Sequence, residues 1–226
     1  EAATGIGFFQ LTGHGIPLAQ IDEAVALSEA FFAQSPEAKE KTPLRPGTNA
    51  GWEFKSQVRP STGTPDQKES YQITRPRMEG LWPDPAAIPG FREKMLAFEA
   101  ANWGVAMKVL SCFALKLRFE EDLFARAHDP ASPEYQSTLR LIHYLPMENA
   151  KPEDFTGWRA GAHTDFDFLT LLHQKTGQGG LQVCPGHAAE EGAWTSVEPV
   201  TGVITCGLRD GWGVEPALFA AHRAYQ

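Results

Sequence analysis

The amino-acid sequence predicts an α+β fold that is mainly β, with helices in its first part and an antiparallel sandwich or barrel after them. Two observations predict this class. Apolar residues recur at helical spacing in two stretches before residue 118, and short apolar segments punctuated by glycine and proline follow residue 137. Helices followed by strands favour helices that back a sheet. We expect a single domain over residues 1–226, mostly helical over 1–137 and with its β core over 138–226.

The first part begins with a strand and an amphipathic helix. The segment GIGFFQLTGHGIP is an apolar run bounded by glycines and Pro17, which indicates a buried strand and a turn. Helical spacing over residues 18–33 predicts a helix that ends near Ser35-Pro36. Residues 42–66, rich in proline, glycine, threonine and serine, predict a long surface loop with a short strand at 51–55.

Two further helices separate this loop from the β segments. ESYQITRP predicts a brief strand, residues 88–117 predict one long helix or two abutting ones, and residues 119–128 predict a short helix. The strands expected after them are STLRLIHYLP, GAHTDFDFLTLLHQ, GGLQVC, WTSVEPV and GVITC.

Composition excludes several classes of partner. The net charge is −8, the pI is about 5.4, and no dense basic cluster is present, so neither nucleic acid nor a membrane surface is an expected partner. No run of 18 apolar residues occurs, and we recognise no signal peptide. Three cysteines without a CxxC pair favour a reducing compartment, which predicts a cytoplasmic location.

The segment GAHTDFDFLTLL places two types of metal ligand in an otherwise apolar strand. Because side chains alternate between the two faces of a strand, His163 and Asp165 are expected on the same face. An imidazole and a carboxylate form two thirds of a 2-His-1-carboxylate facial triad, which suits Fe(II) and O₂ chemistry. An isolated His-x-Asp pair is weak evidence, since an ordinary structural histidine and a turn aspartate give the same pattern.

A third ligand must come from elsewhere in the sequence. His222 is the candidate, because its distance along the chain from His163 allows a return through several strands of a barrel. His143, on a neighbouring predicted strand, could line the same cavity. The remaining histidines are His14, His128, His173 and His187.

Several motifs resemble those of the iron(II)- and 2-oxoglutarate-dependent oxygenases of the isopenicillin N synthase-like family. GFFQLTGHGIP is similar to the opening strand and turn of the family, and LRLIHYLP is similar to the strand that leads into its core. HTDFDFLTLLHQ followed by GGLQV is the most specific match, and WTSVEPVTG resembles the next hairpin. The resemblance covers most of the chain, from Gly5 to about Cys206.

The resemblance implies a double-stranded β-helix, or jelly roll, with Fe(II) at one mouth. It implies His163, Asp165 and His222 as the metal ligands and 2-oxoglutarate as the cosubstrate. With O₂ as oxidant, such an enzyme hydroxylates or desaturates a small organic molecule and releases succinate and carbon dioxide. Oligomeric state and substrate identity are not indicated by the sequence.

Candidate contacts to the cosubstrate also follow from the resemblance. Relatives place polar contacts on the strand that here carries Arg140, His143 and Tyr144. After Cys206 the family pattern survives only in His222-Arg223, and the usual Arg-x-Ser anchor would fall beyond the last residue. We therefore expect a chain that lacks both natural ends and binds 2-oxoglutarate weakly, with Arg140 as a weak substitute anchor.

Two other functions stay open from the sequence. The chain could be an iron oxidase that does not use 2-oxoglutarate, or a non-catalytic jelly-roll binding protein whose site has degraded. A metal assay separates the binding protein from both enzymes, and consumption of 2-oxoglutarate separates the two enzymes. Asp167 is a further candidate for substrate contact, although a solvent-facing loop residue is as consistent with its position.

Overall fold

The structure is a computed structural model that describes residues 2–58, 63, 65–146, 159–163, 165, 168–185, 194–208 and 220–224. Over these residues the chain divides into two compact units. The β unit comprises Glu1–Gly15, Lys55–Lys68 and Tyr144–Gln226, and the helical unit comprises Ile16–Phe54 and Glu69–His143.

Helices and strands together confirm the predicted α+β class. The helices are α1 (Leu18–Phe32), α2 (Pro36–Lys39), α3 (Phe91–Lys116) and α4 (Leu123–Ala127). The strands are β1 (Phe8–Leu11), β2 (Gly51–Phe54), β3 (Lys68–Ile73), β4 (Leu139–Tyr144), β5 (Ala160–His163), β6 (Leu169–His173), β7 (Leu181–Pro185), β8 (Thr195–Ser196), β9 (Ile204–Leu208) and β10 (Ala220–Ala224). In the described part of the chain, no helix has the length and apolar character needed to cross a membrane.

The β unit contains two antiparallel sheets with the strand orders β1-β9-β6 and β5-β10-β7-β8. Successive strands change sheet: β5 lies in the second sheet, β6 in the first, β7 and β8 in the second, β9 in the first and β10 in the second. This alternation is the jelly-roll topology that the resemblance implies. The strand predicted around residues 169–174 is confirmed as β6.

A glycine keeps one face of the first sheet open for larger neighbours. Gly207 in β9 pairs with Phe8 on one side and with Thr170 on the other. A Cβ at position 207 would lie 3.1 Å from Phe8 Cε1 and 3.7 Å from Thr170 Cβ. The absence of a side chain therefore lets the Phe8 ring lie beside the β6 strand.

Two histidines meet at the end of the same sheet. The His14 ring contacts the His173 ring edge to face at 6.3 Å between centroids, and His14 Nε2 donates to the Gly202 carbonyl at 3.0 Å. Burial, together with the neighbouring His14, lowers the pKa of His173 to about 4. The His173 imidazole is therefore neutral at physiological pH.

The helical unit is built around the antiparallel pair β2–β3, which β4 extends on the β3 side. Every residue of β3 is buried. Its Tyr71 ring packs against Phe31 of α1 at 4.3 Å and against Phe91 of α3 at 5.9 Å between centroids. The Tyr71 hydroxyl donates to the Leu81 carbonyl at 2.6 Å, so this large ring is buried with its polar atom paired.

The helices agree with the sequence apart from two differences: α4 begins at Leu123 and not at residue 119, and an additional short helix, α2, follows α1. The apolar stretch over residues 88–117 forms one helix, α3, which begins after the left-handed Gly90 (φ 73°). The Ser35-Pro36 pair, expected to end α1, also starts α2, because the Ser35 hydroxyl accepts from Ala38 N at 3.3 Å. A serine followed by proline can therefore begin a new helix as well as end the preceding one.

Gly51 is predicted to be intolerant of any side chain. Its φ of 109° disfavours L-residues, and an added Cβ would lie 2.3 Å from the Pro43 carbonyl oxygen. Gly51→Ala is expected to lower the free energy of unfolding by about 3 kcal/mol through strain and overlap. Gly104→Ala in α3 meets nothing within 4 Å and should instead stabilise by about 0.5–1 kcal/mol. Urea unfolding measures both, and equal effects would refute the assignment.

His173 is predicted to make stability depend on pH. Its folded pKa of about 4 lies below the ordinary 6.5, so the unfolded chain binds more protons between these values. The contribution of neutral His173 to the free energy of unfolding is therefore complete above pH 6.5. It is lost as the pH falls towards 4, and the loss is on the order of 3 kcal/mol. His173→Phe, which keeps an aromatic ring, should flatten this dependence in denaturant titrations at several pH values. An unchanged slope in the variant would contradict the prediction.

Candidate metal centre

His163 and Asp165 meet where the chain leaves the second sheet. His163 is the last residue of β5, and Asp165 lies in the connection to β6. His163 Nε2 and Asp165 Oδ1 are 3.7 Å apart. The two side chains are 14% and 29% exposed, so both are partly withdrawn from water. The structure brings the two residues together, and their role as metal ligands stays a prediction.

The predicted reason for that convergence was wrong. The segment around GAHTDFDFLTLL is not one strand with alternating faces, because β5 ends at His163 and β6 starts at Leu169 in the other sheet. The two residues are two apart in the chain, with His163 at the end of β5 and Asp165 just after it, so they lie close together without sharing a strand. A carboxylate is disfavoured within a buried strand, which is consistent with its place in the connection.

Thr170 is a polar neighbour that the sequence did not single out. Its hydroxyl donates to Asp165 Oδ2 at 2.5 Å, across the connection and from the opposite sheet. The two carboxylate oxygens thus have separate neighbours, with Oδ1 towards His163 and Oδ2 towards Thr170. The available signal was a lone hydroxyl within the apolar run LTLL, five residues after the aspartate.

His222 is in register with His163. Strand β10 lies between β5 and β7, and His222 is the antiparallel partner of His163 on one side and of Val183 on the other. Directly paired positions of an antiparallel ladder fall on the same side of a sheet. The structure describes the backbone of β10, so the role of His222 as a ligand stays a prediction.

The donor set fits Fe(II) as far as the described side chains extend. Among those side chains, no group of three or more His, Cys, Asp or Glu residues could hold a metal ion. His163 and Asp165 supply one imidazole nitrogen and one carboxylate oxygen, and their separation exceeds that of a hydrogen bond. Two such donors, completed by one more imidazole, make the set that non-haem Fe(II) sites use.

The candidate cosubstrate residues of β4 have defined partners. In the helical unit, Arg140 donates to Gln72 Oε1 at 2.7 Å, and His143 Nδ1 donates to Glu69 Oε1 at 2.9 Å. In the β unit, the Arg159 guanidinium lies over the Tyr144 ring at 5.3 Å. Their roles towards 2-oxoglutarate stay predictions. Asp167 lies outside the described residues.

Glu69 is held ionised by its neighbours. Burial opposes ionisation, but hydrogen bonds from Lys39 (2.8 Å), His143 (2.9 Å) and Trp52 (2.7 Å) together keep the pKa of the Glu69 carboxyl below its usual value. The His143 ring also packs on Phe32 at 5.4 Å between centroids. These contacts give His143 a structural role within the helical unit.

Two family models match the chain. The model described as non-haem dioxygenase in morphine synthesis N-terminal matches residues 1–86, and the one described as 2OG-Fe(II) oxygenase superfamily matches residues 135–224. The second match contains His163, Asp165 and His222. The N-terminal match covers β1, α1, α2 and the β2–β3 pair, all of which precede the long helix.

Similar proteins include oxygenases of fungi. A 2-oxoglutarate-dependent dioxygenase of Didymella fabae is 30% identical over 93% of this chain and 67% of its own length. Proline hydroxylase buaE of Petromyces alliaceus is 30% identical over 98% of this chain and 72% of its own length. The crystal structure of a full-length Neurospora crassa protein in complex with alpha-KG and 5-formyluracil has a TM-score of 0.80 and 26% identity, over 99% of this chain and 69% of that one.

Length differs between this chain and its relatives. The chain spans 61% to 72% of the curated relatives considered, or about two thirds of their length. Even so, the alignment with buaE covers 98% of this chain at 30% identity, and the strand order is that of a jelly roll. Both observations support the same family. The chain belongs to the 2OG-Fe(II) oxygenase superfamily.

Proposed function

We propose that this chain carries out the Fe(II)- and 2-oxoglutarate-dependent oxidation of a small organic molecule, with O₂ as oxidant and succinate and carbon dioxide as co-products. The observation that carries the proposal is the 3.7 Å approach of His163 Nε2 to Asp165 Oδ1 at the sheet crossing. Membership of the 2OG-Fe(II) oxygenase superfamily supports the interpretation of this pair as two ligands of Fe(II).

His163 and Asp165 would hold the metal, with His222 as the third ligand. Support for His222 comes from its register opposite His163 in the β5–β10 ladder. Bound Fe(II) would supply the redox chemistry and the sites at which a keto acid and O₂ are brought together. The protein residues supply orientation: a strand end fixes the imidazole, and partial burial of both side chains strengthens their attraction for a cation.

The cosubstrate and the substrate are proposed from chemistry and from relatives. Arg140, His143 and Tyr144 are the proposed contacts for 2-oxoglutarate, since β4 carries a cation, an imidazole and a phenol in close succession. The solved Neurospora crassa complex contains alpha-KG and 5-formyluracil, and buaE is named a proline hydroxylase, so a small organic substrate is consistent with both.

The expected surroundings follow from composition. An acidic net charge of −8 supports neither nucleic acid nor an anionic membrane surface as partner. The sequence has three cysteines, Cys112, Cys184 and Cys206, an odd number without a CxxC pair, which supports a reducing location such as the cytoplasm.

Loss of Asp165 is predicted to abolish metal binding and turnover. Asp165→Ala removes the anionic ligand, so an anaerobic calorimetric titration with Mn(II) should show one site in the unsubstituted chain and none in the variant. The same comparison applies to Fe(II)-dependent release of succinate from 2-oxoglutarate. Asp129→Ala is the matched control, because Asp129 is at the surface and only caps the Ala131 amide at 2.9 Å.

Three results would be informative against the proposal. Stoichiometric Mn(II) in Asp165→Ala would show that the site has been misassigned. Metal binding without any succinate would favour an iron oxidase that does not use 2-oxoglutarate. An unsubstituted chain that binds no metal would favour the non-catalytic jelly-roll binding protein.

A further inference from the structure

The two oxygens of the Asp165 carboxylate lie next to different residues. Thr170 Oγ1 donates to Oδ2 at 2.5 Å, while Oδ1 is the oxygen that faces His163 Nε2 at 3.7 Å. A hydrogen bond to a carboxylate is shorter and stronger than one between neutral groups. One oxygen is thereby held while the other stays directed towards the imidazole.

The Thr170 side chain is itself fixed by the first sheet. Thr170 lies inside β6, paired through its backbone with Gly207 of β9, and Phe8 of β1 is paired with Gly207 from the other side. These three positions lie side by side on one face, with Thr170 Cβ only 3.7 Å from where a Cβ of residue 207 would be. Since a β-branched residue has few side-chain rotamers, the sheet determines where the hydroxyl points.

The hydrogen bond therefore ties a connection to a strand of the opposite sheet. His163 belongs to the sheet β5-β10-β7-β8, whereas Thr170 belongs to the sheet β1-β9-β6. Asp165 stands between them in the chain and contacts both. The Thr170 hydroxyl thus restrains rotation of the Asp165 carboxylate about its last bond.

We propose that Thr170 is a positioning residue: by donating to Oδ2 of Asp165, it orients the carboxylate so that the metal meets Oδ1, the oxygen on the His163 side. The inference rests on the proposed metal role of His163 and Asp165. Its consequence is chemical: a carboxylate that binds through both oxygens occupies one more coordination position, which the cosubstrate and O₂ would otherwise share.

Removal of the hydroxyl should weaken and alter metal binding. Thr170→Val keeps the shape of the side chain and deletes the donor. Loss of a hydrogen bond that orients a ligand costs 10- to 100-fold in metal affinity, and we expect roughly the tenfold end of that range, because the Asp165 carboxylate itself remains as a ligand. Thr170→Ser keeps the donor and should restore the affinity of the unsubstituted chain.

Co(II) is the probe, because its visible absorption reports coordination as well as affinity. Anaerobic Co(II) titrations of the unsubstituted chain, Thr170→Val and Thr170→Ser should give a changed band shape at saturation for valine alone. Thr205→Val is the matched control: Thr205 is buried in β9 one pair along the same face, opposite Leu172, and the change deletes the same hydroxyl. Thr170→Ala, which adds no bulk, replaces valine if circular dichroism shows that Thr170→Val is unfolded.

The outcomes separate this inference from the proposed function. Undiminished Co(II) affinity and an unchanged spectrum in Thr170→Val, with binding intact in the unsubstituted chain, would overturn the role of Thr170 alone. Equal losses in Thr170→Val and Thr205→Val would also overturn it, since the effect would then be general to the sheet. No Co(II) binding by the unsubstituted chain would overturn the metal site, and the role of Thr170 with it.

Discussion

The passage of the chain from one sheet of the jelly roll to the other, between β5 and β6, is the constraint on which the candidate site depends. His163 ends a strand of one sheet, Thr170 lies within a strand of the other, and Asp165 stands between them. At the end of β5 the His163 imidazole and the Asp165 carboxylate approach to 3.7 Å. The Thr170–Asp165 hydrogen bond of 2.5 Å connects the carboxylate to a strand of the other sheet. The geometry of the site therefore depends on residues from both sheets.

Residues of the first sheet near the site are paired or buried. Gly207 makes room for Phe8 beside Thr170, and a larger residue there would press on the ring at 3.1 Å. Farther along the same sheet, His173 is kept neutral by burial and by His14, so no charge on this imidazole competes with a cation at physiological pH. In the helical unit the buried charge of Glu69 is instead satisfied by three donors. Buried Glu69 is thus charged and hydrogen-bonded, whereas buried His173 is neutral.

Much of this could be predicted from the sequence, and the failures have physical causes. Helical spacing predicted α1 and α3 closely, because apolar residues that recur at this spacing over many residues favour a helix. Whether residues 88–117 form one helix or two was left open by the sequence. The motif around His163 predicted the metal pair and the family. Strand alternation was the wrong reason for that pair, because a run of apolar residues does not reveal where a chain changes sheet. Thr170 escaped notice since its partner is set by that crossing, and the partners of Arg140 and His143 depend on long-range pairing of β3 and β4 that no local pattern encodes.

The central claim is that one metal ion binds where β5 leaves its sheet. Anomalous X-ray diffraction from crystals grown anaerobically with Mn(II) tests it most directly, because the signal locates the ion without reference to activity. The account predicts one strong peak at bonding distance from both His163 Nε2 and Asp165 Oδ1, with His222 completing the set. A peak that lies away from these atoms, for instance between His14 and His173, would contradict it.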